Sequence, residues 1–87
     1  MAWKIEYDAE ARKQLRKLGK VPATRILKGL EQIAALDDPK LRGKALTGNY
    51  KGYWRYRFGD FRVIARIEDA VLVIVVVTVG HRREVYD

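Results

Sequence analysis

The chain has 87 residues, a formal net charge of +7, and neither a cysteine nor a serine. One domain, 1–87, built on a single core is expected, and disulfide staples, thiol or serine nucleophiles and zinc-finger sites are excluded. The opening MAWKIEYD carries charge where a signal peptide is apolar, and the aliphatic run Val71–Val79 is roughly half of the ~18–20 residues a membrane helix needs. A cytoplasmic protein with no membrane partner is the expectation.

In chain order, Ala2–Tyr7 alternates, with Trp3, Ile5 and Tyr7 on one side and Lys4 and Glu6 on the other, which predicts a strand. Asp8 can cap a helix over Ala9–Leu18, with Ala11, Leu15 and Leu18 on one stripe and Gly19 as the stop. Pro22 suits the first turn of a second helix, in which Ala23, Ile26, Leu27, Leu30, Ile33 and Ala34 recur at helical spacing until Asp37-Asp38-Pro39 ends it. Gly19-Lys20-Val21 is short enough to fold the two into an antiparallel pair. Lys40–Asn49 has no period and reads as a loop.

Three strands follow. Tyr50–Arg57 sets Trp54 and Tyr56 opposite Tyr53, Arg55 and Arg57. Gly59-Asp60 predicts a tight hairpin turn into Phe61–Ile67, with Arg62, Ile64 and Arg66 on one face and Phe61, Val63, Ala65 and Ile67 on the other. Asp69-Ala70 turns into Val71–Val79, which is apolar on both faces and expected in the sheet interior. The class is therefore α+β with element order β-α-α-β-β-β, a helical hairpin on one face of a twisted, mostly antiparallel sheet. Arg55, Arg57, Arg62 and Arg66 should point to the face left open.

The positive charge is concentrated. Residues 40–66 hold eight basic residues against Asp60 alone, and the rest of the chain holds ten of each sign. These basic residues interleave with Tyr50, Tyr53, Trp54, Tyr56, Phe58 and Phe61, a composition that suits single-stranded RNA through phosphate contact and stacking. A solvated basic face that keeps a small protein soluble is the plainer alternative. The only histidine, His81, stands at the end of the apolar strand, followed by Arg82, Arg83 and Tyr86. No paired carboxylates, metal-ligand spacing or phosphate-cradling glycine loop is present. Arginines, one histidine and tyrosines can assist attack of an RNA 2′-hydroxyl on its own adjacent phosphate. Arginine stabilises the charged phosphorane, and His81 or Tyr86 could move protons.

The block GYWRYRFGDFRVIARI followed by GHRREVY, with the opening WKIEYDAEARKQLRKL and the helix-ending LDDP, resembles the RelE/ParE superfamily of bacterial toxins. The resemblance covers nearly the whole chain and is closer to the RelE branch. It implies the toxin of a type II toxin–antitoxin system: an endoribonuclease, without cofactor or metal, that cleaves mRNA in the ribosomal A site and leaves a 2′,3′-cyclic phosphate. It also implies a cognate RelB-like antitoxin as partner, and operator DNA bound only through the toxin–antitoxin complex. By position, Arg55 resembles the residue that acts as or supports the general base, and Arg62 the arginine on the transition-state phosphate. Arg82 resembles the arginine of phosphate stabilisation or leaving-group protonation, and Tyr86 the tyrosine that stacks on the substrate base. His81 stands where some members have lysine. Lys44, Lys51, Tyr53, Arg57, Arg66 and Arg83 are the expected RNA contacts. Tyr53 departs from the pattern, because well-known members carry a lysine there, and Lys51 is the nearest substitute. The competing expectation is a ParE-like toxin that binds and inhibits DNA gyrase without cutting RNA. A third is a toxin-like fold kept only as a binding and repression partner.

Overall fold

The computed structural model describes residues 3–81. Five strands form one sheet in the order β1-β5-β4-β3-β2, with two helices on one of its faces. The strands are β1 (Lys4–Tyr7), β2 (Lys44–Ala45), β3 (Tyr53–Phe58), β4 (Phe61–Glu68) and β5 (Val73–His81), and the helices are α1 (Ala9–Leu18) and α2 (Lys20–Ala34). β1 runs parallel to β5, and every other pairing is antiparallel. Among the described residues, no helix is long and apolar enough to cross a membrane.

Local chemistry sets the helix ends. The Asp8 carboxylate accepts the Ala11 N–H at 2.9 Å and caps α1. Gly19, at φ 91°, closes α1 and opens α2 by itself. Its N–H donates to the Arg16 carbonyl and its carbonyl accepts from Ala23, so the expected three-residue joint shrinks to one glycine. The helix stripes deliver Ala11, Leu15, Ile26, Leu30, Ile33 and Ala34 to a core that Trp3, Tyr56, Val63, Ala65, Ile74, Val76 and Val79 complete from the sheet. Leu27, counted in that stripe, is instead exposed at its flank. Gly29 matters for a different reason: α2 lies so close to β3 that a side chain there would run into the Phe58 ring.

The segment expected to be a loop is more ordered. Pro39–Arg42 and Gly48–Tyr50 form short 3-10 turns, and Lys44–Ala45 pairs with Arg55 and Trp54 as the edge strand β2. β3 accordingly starts at Tyr53 instead of Tyr50. A further 3-10 turn, Asp69–Val71, shifts β5 to Val73–His81, and an ion pair of 2.9 Å between Lys40 and Asp69 ties the two turns together. The middle strand is β4, and β5 lies beside it, also interior. Partners jump from Ile64↔Thr78 to Ala65↔Val76, so Val77 is the extra residue of a β-bulge.

Tyr56 anchors the 3-10 turn to the core. It is 1% exposed, and its hydroxyl donates to the Pro39 carbonyl at 2.8 Å. Burial, then the Asp38 carboxylate, pushes its pKa up to about 12, while burial and then Glu31 push Tyr7 up to about 12. In the unfolded chain a tyrosine ionises near ~10. Both phenols therefore bind their protons more tightly when folded, so their stabilisation is complete below about pH 10 and is lost as pH rises toward about 12. Each two-unit shift corresponds to roughly 2–3 kcal/mol. Urea midpoints measured between about pH 9 and 12 should fall steeply for the native chain. Tyr56→Phe should lose about 1 kcal/mol at neutral pH, with its hydrogen bond, and should halve the alkaline slope.

Candidate active site

Alternation on β3 turns Trp54, Tyr56 and Phe58 toward the helices and leaves Tyr53, Arg55 and Arg57 on the opposite face. The register then places Arg66 across from Tyr53, Ile64 across from Arg55 and Arg62 across from Arg57. From the other side, Lys44 of β2 faces Arg55. Two consecutive cross-strand pairs on this face are thus basic on basic, Lys44↔Arg55 and Arg57↔Arg62. Directly opposed residues in antiparallel strands have Cα atoms about 4.5–5.5 Å apart, and like charges there cost stability.

Arg62 corrects the sequence expectation of an open-face residue. It lies on the expected face but is 3% exposed, and its Nε and Nη1 are shut off from solvent, as is Nε of Arg55. The same side of the sheet carries a second small core, made of Leu46 and Ile64 with Tyr53 and Val77 against them. The bulge helps to build it by turning Val77 toward Ile64. Across from Arg62 on β5 stands Gly80, which brings no side chain of its own to that pair. Arg57 remains exposed.

The other sequence candidates divide. Arg66 is exposed and ion-paired with Glu68; that hydrogen bond and another with Tyr53 raise its pKa. Lys51 lies in the exposed turn before β3. His81 pairs with Phe61, with ring centroids 5.9 Å apart at 78°, and Phe61 belongs to the helix-side core. The imidazole is therefore on the other side of the sheet from the arginines, although one residue from Gly80. If the chain cuts RNA as the resemblance implies, His81→Gln is expected to cost no more than a few-fold, because the imidazole faces away from the arginines; a loss as large as that of an arginine variant in a single-turnover assay would contradict this. Arg82, Arg83 and Tyr86 lie outside the described residues. Among the described residues, no group of three His, Cys, Asp or Glu side chains could hold a metal.

Two contributors escape a sequence reading. Gln14 accepts the Val79 N–H at 2.6 Å, beyond the point where β1 stops pairing with β5. It thereby fixes the strand end that leads to Gly80 and His81. Its signal is weak, a polar residue beside the Ala11–Leu15 stripe. Glu68, which neutralises Arg66, is likewise one carboxylate among several.

Comparison with known proteins agrees with this architecture. The family model described as the ParE toxin of a type II toxin–antitoxin system, parDE, matches residues 5–86. Toxin RelG of Mycobacterium tuberculosis is 30% identical over 89 aligned positions, covering 99% of this chain and 98% of the relative. The mRNA interferase toxin RelE of Escherichia coli is also 30% identical, over 99% of this chain and 92% of its own. Among solved structures, a variant of E. coli toxin RelE in the free state superposes with a TM-score of 0.77, with 24% identity over 93% of this chain and 84% of the other. A chain of the M. tuberculosis RelBE toxin–antitoxin complex gives 0.73 at 29% identity, over 94% and 100%.

Proposed function

The chain belongs to the RelE/ParE family of type II toxin–antitoxin toxins, and from that premise we propose that it is an endoribonuclease that cuts mRNA on the ribosome. The observation that carries this reading is the pair of basic-on-basic cross-strand contacts, Lys44↔Arg55 and Arg57↔Arg62, on the sheet face away from the helices. Several positive charges gathered on one sheet face suit the regularly spaced phosphates of an RNA strand.

The reaction is attack of a ribose 2′-oxygen on the adjacent phosphorus, with departure of the 5′-oxygen, giving a 2′,3′-cyclic phosphate and a 5′-hydroxyl. The nucleophile belongs to the substrate, so the protein needs to align the chain, stabilise charge and move two protons. Arg62, held rigid by burial, stabilises the phosphorane oxygens, and fixed charge in a water-poor site acts more strongly there than in solvent. Arg55, also with its Nε buried, supports removal of the 2′-proton. Arg82 is assigned to the leaving oxygen and Tyr86 to the base. Lys44, Lys51, Arg57 and Arg83 hold the flanking phosphates.

The partner that silences this surface is a RelB-type antitoxin, as in the complexes formed by the M. tuberculosis and E. coli relatives. Its toxin-binding segment should be acidic or amphipathic and should fold as it binds. Translation would stop when the antitoxin is lost.

Primer extension on a defined mRNA after induction tests the reading. Cuts within translated codons, absent when initiation is blocked, are expected. Intact mRNA together with trapped gyrase–DNA complexes would overturn it in favour of gyrase inhibition, the activity that the ParE name of the matched model brings into question.

A further inference from the structure

On the same face as the arginines, one step back along β3, two tyrosines meet. The rings of Tyr50 and Tyr53 stand edge to face, with centroids 6.3 Å apart and planes at 83°. Tyr53 rests with its inner side on Leu46 and Ile64, while Tyr50 is 37% exposed. Opposite Tyr53, the Arg66 guanidinium is held by both the Tyr53 hydroxyl and the Glu68 carboxylate. Tyr53 is therefore held against this small core before any ligand arrives, which lowers the ordering cost of binding.

Spacing gives this cluster its meaning. Tyr53 and Arg55 are two residues apart on one strand face, about 7 Å, close to one nucleotide step along an extended backbone. A phosphate on Arg55 would leave the neighbouring base over the tyrosines. Resting on the endoribonuclease reading above, we propose that Tyr50 and Tyr53 form a stacking subsite for the nucleobase of a nucleotide adjoining the scissile phosphate. Arg66 stands beside this corner as a fixed cation. The resemblance puts a lysine at position 53, so this chain exchanges a phosphate contact for a base contact. Purines, with the larger stacking area, are the favoured occupants.

The test is single-turnover cleavage of mRNA on programmed ribosomes, using substrates made abasic at one or the other nucleotide flanking the cut. The native chain should lose on the order of 5–150-fold in rate at the position that uses the tyrosines, the range expected for a lost base stack. Tyr53→Lys, and independently Tyr50→Ala, should slow the intact substrate but suffer little additional loss from that abasic site. Tyr53→Phe should keep the abasic penalty, since the ring does the stacking. Circular dichroism of each variant identifies one that has failed to fold; the remaining variants still decide. If neither flanking position couples to Tyr50 or Tyr53, the subsite is overturned and Tyr53 is only the cover of the Leu46–Ile64 core. If the native chain does not cut the intact mRNA, the endoribonuclease reading falls, and the subsite with it.

Discussion

Arg62→Ala is expected to slow mRNA cleavage by about 10²–10³-fold, the usual cost of removing one positioned charge from a transition state. It should also destabilise the fold, because the side chain is 3% exposed and its removal opens a cavity beside Ile64. Those two losses are separable. Arg62→Met fills much of the same volume without the charge, so it leaves less of a cavity than alanine does. Cleavage by Arg62→Met should therefore be as poor as by Arg62→Ala, while its melting temperature falls less than that of Arg62→Ala. A stable Arg62→Met protein that cleaves normally would remove Arg62 from the chemistry and leave it a structural residue.

Tyr86→Ala carries the second large effect. If the ring stacks on the substrate base, its loss should cost about 1–3 kcal/mol of transition-state binding, and Tyr86→Phe should keep most of the activity. If the hydroxyl moves a proton, both variants should be damaged to the same degree. Single-turnover rates on programmed ribosomes separate the two outcomes, and equal, complete loss would refute stacking.

The helices, β3 and β4 were readable because each has a period, and β5 because its aliphatic run is unbroken. Ala11 and Leu15, or Ile26, Leu30 and Ile33, mark a helix face, and Arg62-Val63-Ile64-Ala65 marks a strand. β2 was not readable. Two residues carry no period, and what makes Lys44–Ala45 a strand is the backbone of Arg55 and Trp54 beside it. Alternation placed Arg62 on the correct face, but its depth depends on long-range packing over that face, which no local pattern announces. The bulge at Val77 was hidden because nine nearly uniform aliphatic residues show no alternation to break. His81 could be placed at the strand end, yet its side of the sheet follows from pairing with Phe61, a register that the sequence leaves open.

Substrate-assisted cleavage is tested most directly by replacing one atom of the RNA. A synthetic mRNA carrying a single 2′-deoxynucleotide immediately 5′ to the cut should bind the programmed ribosome normally and resist cleavage by the native chain at that bond. The all-ribose control should yield a 2′,3′-cyclic phosphate and a 5′-hydroxyl. Cleavage of the deoxy-substituted bond at an undiminished rate, or a linear phosphate as the first product, would contradict attack by the 2′-hydroxyl and the arginine-assisted mechanism built on it.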